Sequence, residues 1–142
     1  MNEIIVGVDR SDTARRAAFT AARLAVTLGK PLHLVMAVSR TKPISGGYGG
    51  DSFHTDWLTS AEEFLAALSG ELPAKRITHT VSLSDPATAI CDEAQRLQST
   101  MIVVGNRRIQ GLTRVLGAVA TDVARQAPCD VLVANTTTDP KD

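Results

Sequence analysis

Residues Met101–Thr121 read MIVVGNRRIQGLTRVLGAVAT. Four apolar residues, Met101–Val104, lead into a loop that holds Gly105, Gly111 and Gly117, and the loop feeds a helix-like run. Arg107, Arg108 and Arg114 lie in that loop, and no acidic residue follows until Asp122. A strand that ends in glycines, carries positive charge and feeds a helix suits an anion such as phosphate. Glycine lets backbone N–H groups approach the anion, and the helix start adds partial positive charge.

The same pattern extends on both sides. Downstream, Ala118–Gln126 is expected to be helical, Pro128 stops it, and Asp130–Ala134 (DVLVA) is a short apolar closing strand. Upstream, Ser84-Asp85-Pro86-Ala87 marks a helix start, with Asp85 as cap and Pro86 at the first helical position. That helix is predicted over Ala87–Gln98, with Ala87, Ile90, Ala94 and Leu97 at helical spacing. Ile77–Leu83 alternates only in part and reads as a strand near a sheet edge. Thr55–Leu68 carries Trp57, Leu58, Ala61, Phe64, Leu65 and Leu68 on one apolar stripe and is predicted to be a helix whose aromatics serve the core.

The chain opens on Glu3–Val8, a β-branched run of the kind buried on both faces of a sheet. Asp9-Arg10-Ser11-Asp12 follows, and Ser11 or Asp12 caps a helix over Thr13–Leu28. Six alanines in that helix (14, 17, 18, 21, 22 and 25) favour helix and close packing on a sheet. Gly29 ends it and Pro31 prevents a restart. Leu32–Val38 (LHLVMAV) is the second strand, where His33 stands alone and reads as a partly buried structural residue. Ser39–His54 reads as a long connection, and its Gly46–Gly50 core lacks the Lys-Ser/Thr ending of a Walker A loop. It is either a flexible link or a lid.

Strands and helices thus alternate as β-α-β-α-β-α-β-α-β, which implies an α/β fold with an open parallel sheet and helices on both faces. The length of 142 residues suits one domain with a real core. Residues 1–135 are expected to form that domain and residues 136–142 a flexible tail. Aromatics are only 4% of the chain, so Ala, Val, Leu and Ile must build the core. Fifteen basic residues balance 15 acidic ones, which argues against nucleic acid as a general partner. Cys91 and Cys129 form no CxxC pair and read as small buried hydrophobes. With no signal segment and no apolar run of membrane-spanning length, the expectation is a cytoplasmic protein without a membrane partner.

Ligands of such sheets bind at the carboxyl ends of the strands, where strand order reverses. If the order is 3-2-1-4-5, strands one and four are neighbours there. Asp9 then faces Gly105 across one crevice: an acceptor for a base amino group or ribose hydroxyl opposite a loop suited to phosphate. Taken singly, Asp9 also reads as a turn residue or helix cap, and the arginines as solvated surface charges.

Resemblance adds to these readings. The opening IIVGVDRSDTARRAAFTAARLA, the Ser84-Asp85-Pro86 turn and the closing VVGNRRIQGLTRVLGAVATDVARQAPCDVLVA resemble the UspA or universal stress protein family in the same order along almost the whole chain. The resemblance implies that family's open five-stranded parallel sheet, order 3-2-1-4-5, which is Rossmann-like and of the adenine nucleotide alpha hydrolase type. It also implies a stress-response protein that binds ATP or another adenine nucleotide, with Mg2+ only alongside the nucleotide and without robust catalysis. The alternative is a family member with a degenerate site that acts as a dimeric scaffold or interaction module. Carried over position by position, Asp9, Ala37 and Val38 would hold the adenine and ribose end. Gly105, Asn106, Arg108 and Gly117, Ala118, Val119 and Ala120 would hold ribose and phosphates, with Arg107 beside them. Family members commonly pair the last strand with its twin, which implies a homodimer through residues 130–134.

Several positions depart from the family pattern. Arg108 stands where the second signature glycine is usual, and Ala118 where a hydroxyl residue is usual. The spacer Ile109–Leu116 has eight residues where the family has nine. Arg10 and Ser84 each replace a usual glycine. Ala118 removes a donor to phosphate worth about 1–2 kcal/mol. The loop supplies no acid, and the chain has no G-x-S-x-G nucleophile motif, so slow ATP hydrolysis is the most enzymatic activity these residues suggest.

Overall fold

The computed structural model describes residues 2–38, 50–106 and 116–136, with residues 50–56 described as backbone only. In chain order the elements are β1 (Ile4–Val8), α1 (Asp12–Leu28), β2 (Leu32–Ala37), α2 (Gly50–Glu71), β3 (Ile77–Ser82), α3 (Pro86–Leu97), β4 (Met101–Gly105), α4 (Ala118–Gln126) and β5 (Asp130–Ala134). The strands form one sheet in the order β3-β2-β1-β4-β5, with every neighbouring pair parallel. The α/β class and the strand order therefore follow the expectation from sequence.

The period of two along each strand separates two cores. Ile4, Val6, Val8, Leu32, Leu34, Met36 and Val103 face α1 and α2. Ile5, Val35, Ile102 and Val104 face α3 and α4. All six alanines of α1 are buried, so the helix lies close on the sheet. Ser11 accepts a hydrogen bond from the Ala14 N–H and is the α1 cap, which decides between Ser11 and Asp12. Gly29 closes α1 in the left-handed region at φ 66°.

Some boundaries shift. Helix α2 begins at Gly50 instead of Thr55 and ends at Glu71 instead of Leu68. The apolar stripe marks only the part of a helix that packs, while backbone hydrogen bonds set its length. The connection predicted over Ser39–His54 therefore loses its last five positions to α2, and residues 39–49 lie outside the described residues. Strand β2 ends at Ala37, although the Val38 N–H still donates to the Ser82 carbonyl at 2.7 Å. Thr136, expected at the head of a frayed tail, is buried and hydrogen-bonded. Cys91 is buried as expected, whereas Cys129 is half-buried with its Sγ 3.2 Å from the Ser99 hydroxyl.

His33 is buried more completely than expected. Its Nδ1 lies 2.6 Å from the Thr78 hydroxyl and its Nε2 3.0 Å from the Thr80 hydroxyl. Glu93 of α3 is 3.9 Å from Nε2 and accepts from the Arg96 guanidinium at 2.6 Å. Burial pushes the His33 imidazole below its ordinary pKa, against the pull of Glu93. Among the described residues, no buried side-chain polar atom lacks a partner.

Candidate functional site at the carboxyl edge of the sheet

A cleft of about 380 Å3 opens where β1 and β4 diverge. That volume lies in the lower part of the range for small-molecule sites, about 300–1,000 Å3. Its walls come from the ends of β1, β2 and β4 and from the starts of α1, α3 and α4. The geometry follows from topology. Adjacent parallel strands whose crossovers leave on opposite faces cannot close the gap between them at their carboxyl ends.

On one wall β1 runs out at Val8 and the chain turns through Asp9. The carboxylate Oδ1 accepts the Ser11 N–H at 2.7 Å, and Ser11 in turn caps α1. Asp9 is therefore a turn residue and also a cleft residue. An ionised carboxylate has about four acceptor sites, and the turn uses one. Arg10, which replaces a usual glycine, points at α2: it donates to the Ser60 hydroxyl at 2.8 Å and lies 4.9 Å from the centre of the Phe64 ring.

On the other wall β4 ends at Gly105. A Cβ there would stand 3.0 Å from Thr13 Cγ2, 3.1 Å from the Thr13 carbonyl oxygen and 3.2 Å from Thr136 Cγ2. Two chain segments close on this backbone, and a larger residue would have to push them back by a few tenths of an ångström. Asn106 follows, and its side-chain oxygen accepts the Gly117 N–H at 2.8 Å. Gly117 is the N-cap of α4 and supplies no side-chain hydrogen bond. Helices α1 and α3 differ, since Ser11 and Asp85 each take a first-turn N–H of their own helix. The first turn of α4 thus faces the cleft without a side-chain cap, and its lining residues are Gly117, Ala118, Val119 and Ala120.

Of the residues singled out in sequence, Asp9, Ala37, Gly105, Gly117, Ala118, Val119 and Ala120 line this cleft. Asn106 stands behind the lining and holds Gly117. Val38 is not among the lining residues. Arg107 and Arg108, with Gly111 and Arg114 of the same loop, lie outside the described residues. Sequence reasoning missed the floor and the third helix start: Gly7, Val35, Thr13, Pro86 and Ile90 also line the cleft. One signal was present. Val35 shares a strand face with Ala37, and the Asp85-Pro86 start places α3 over that face. A Cβ at Gly7 would stand 2.3 Å from the end of Ile90, so this small residue lets α3 approach β1.

Chemically, the cleft offers a carboxylate acceptor on one side, the backbone of a helix start without a side-chain cap on the other and an apolar floor between them. Among the described residues, no group of three or more His, Cys, Asp or Glu is placed to hold a metal ion, and no helix is long and apolar enough to cross a membrane.

Comparison with known proteins agrees with this architecture. Residues 1–135 match the Universal stress protein family. Universal stress protein Rv2624c of Mycobacterium tuberculosis (strain ATCC 25618 / H37Rv) is 31% identical over 140 residues, 98% of this chain and 50% of that protein, so the chain spans half of that relative's length. A universal stress protein solved in complex with cAMP is 26% identical, with a TM-score of 0.65, over 96% of this chain and 98% of that one. The universal stress protein from Archaeoglobus fulgidus, solved in complex with dAMP, shares the fold with a TM-score of 0.66 at 24% identity, over 95% of this chain and 98% of that one. With the family matched over residues 1–135 and the strand order agreeing with it, the chain belongs to the universal stress protein family.

Proposed function

We propose that this chain binds ATP or another adenine nucleotide in the carboxyl-edge cleft and acts as a cytoplasmic stress-response regulator without robust catalysis. One observation carries the reading: α4 begins at the cleft without a side-chain cap, opposite the Asp9 carboxylate. Free first-turn N–H groups and the helix dipole favour an anion there. Relatives solved with cAMP and dAMP supply the nucleotide class. Asp9, Ala37 and Val38 take the adenine and ribose end. Gly105, Gly117, Ala118, Val119 and Ala120 take the phosphates through backbone donors. Asn106 holds that helix start, and Arg107 and Arg108 add positive charge. Mg2+ enters only with the nucleotide, where it offsets phosphate charge. Catalysis is given no part because, among the described residues, the phosphate wall is lined by Gly105, Gly117, Ala118, Val119 and Ala120, none of which is an acid or a base.

The second part of the proposal is a homodimer through β5. This strand is the sheet edge, and Leu132 and Val133 are 37% and 38% exposed. An apolar edge strand is a template for pairing and must be covered. Light scattering at tens of micromolar should return a dimer mass; a monomer mass overturns this part.

Calorimetric titration with ATP, ADP, AMP and cAMP, after a check for co-purified nucleotide, tests the main proposal. Saturable binding of at least one is expected. No binding of any at millimolar concentration overturns it and leaves the dimeric interaction module. A phosphate-release assay should show no turnover that an Arg107→Ala/Arg108→Ala variant abolishes.

A further inference from the structure

The start of α4 is held by residues that the cleft lining does not include. The Asn106 side-chain oxygen accepts the Gly117 N–H at 2.8 Å, across 11 positions of sequence. That bond joins the residue after β4 to the residue before α4. Asn106 is itself held: its carbonyl oxygen accepts from the Thr136 hydroxyl at 2.8 Å. Thr136 lies just past β5, is only 5% exposed, and its carbonyl accepts from the Arg16 guanidinium of α1 at 2.9 Å. A Cβ added at Gly105 would stand 3.2 Å from Thr136 Cγ2, beside Thr13. Three segments distant in sequence therefore meet on one backbone: the start of α1, the exit of β4 and the exit of β5.

The bonds form one series, Arg16 to Thr136 to Asn106 to Gly117, and its last member is the cap position of the uncapped helix. A helix start without its own cap has no local interaction to fix where its N–H groups point. Here the direction is supplied from outside. We propose that Thr136 and Asn106 are positioning residues of the nucleotide site, which aim the first-turn donors of α4 at the phosphate and make the segment after β5 part of that site. The proposal rests on nucleotide binding in the cleft. It adds that the phosphate affinity is set from the sheet edge carrying β5.

Two substitutions separate positioning from mere packing. Thr136→Val keeps the shape and the Cγ2 contact and removes the hydroxyl. Thr136→Ser keeps the hydroxyl. Amide exchange in the nucleotide-free full chain comes first, because it needs no ligand. In Thr136→Val the Gly117 amide, which donates to Asn106, should exchange faster, by about fivefold, the equivalent of one neutral hydrogen bond, and Thr136→Ser should restore the native rate. Unchanged exchange overturns the brace. Calorimetry with AMP and with adenosine comes second. Thr136→Val should bind AMP about fivefold more weakly and adenosine as the native chain does, with AMP affinity recovered in Thr136→Ser. Equal losses for AMP and adenosine overturn the positioning role, since they mean general loosening of the cleft. A native chain that binds neither ligand refutes the nucleotide site and with it the phosphate role, while the exchange result still decides whether the brace exists.

Discussion

The layer between the sheet and α3 has two ends, and they treat polar groups in opposite ways. At the carboxyl end, Pro86 and Ile90 of α3 look into a cleft whose far wall is a helix start without a side-chain cap. At the amino end, Glu93 and Arg96 of the same helix close over His33, whose two ring nitrogens each meet a threonine hydroxyl. The closed end holds the perturbed imidazole. A displaced pKa is often a pointer to function, but here every partner of the displaced group is accounted for. The open end has ordinary residues, many of them small, around a helix start without a side-chain cap, and that start sets the cleft apart.

Closing the open end tests that contrast most severely. Gly117 has φ −66° and ψ 166°, a conformation any residue adopts, and among the described residues a Cβ there would meet only Asn106 Oδ1 at 3.8 Å. Gly117→Asp should therefore fold normally. Its carboxylate would cap α4 and improve stability by about 0.5 kcal/mol. It would also occupy the first-turn donors and repel phosphate, with a loss of nucleotide affinity on the order of tenfold to a hundredfold. Calorimetry and thermal unfolding on one preparation read both. Unchanged affinity would show that the α4 start is not the phosphate wall.

Opening the closed end should do the reverse. The Thr80 hydroxyl lies between His33 and Glu93 and hydrogen-bonds to both. Thr80→Val leaves a buried ring nitrogen and a carboxylate short of a partner, at a cost of about 1–2 kcal/mol. Urea unfolding should register that loss, with nucleotide affinity unchanged. A loss of affinity together with the loss of stability would mean that the two ends are coupled through α3, and the contrast would fail.

The two ends were not equally legible in the sequence. Nearly every element and the parallel α/β class follow from alternation of short apolar runs with capped helical runs, a local signal that tertiary packing only reinforces, whereas the strand order came from the family resemblance. Asp9 and Gly105 could be put at the cleft because they lie at strand ends, where the topology puts ligands, and Gly117–Ala120 because the family resemblance pointed to them. Thr13, Val35 and Pro86 were missed because a cleft wall is a property of three crossovers at once, and no single stretch spells it. Thr136 was misread for a related reason. In a polar stretch before Pro140 it has the composition of a tail, and its burial depends on Arg16 and Asn106, both remote in sequence. His33 could be read only as structural, because its hydroxyl partners follow from the register of β2 on β3.

The smallest expected effect is a pH dependence confined to the closed end. Burial lowers the His33 pKa, and the groups that face it are Glu93 and Glu3, which oppose the shift, and Arg96 and His79, which add to it. In the unfolded chain the imidazole titrates near its ordinary value of about 6.5. Between that value and the lower folded one, the unfolded state holds more protons, so stability rises with pH through this window. The stability is fully present above the unfolded pKa and is lost as the solution is acidified through the window. For Glu93, burial acts upward, but the hydrogen bonds from Arg96 and Thr80 outweigh it and hold the carboxyl below its usual range. Its contribution is present above the unfolded carboxyl pKa and falls away in more acid solution, so the two losses come in succession with histidine first. Urea midpoints from pH 7.5 to 5 should decline for the native chain and flatten in His33→Gln, which keeps a donor and an acceptor without the titration. An imidazole NMR titration that placed His33 at or above its ordinary pKa would reverse the sign and show that the closed end draws its stability from a charged pair with Glu93.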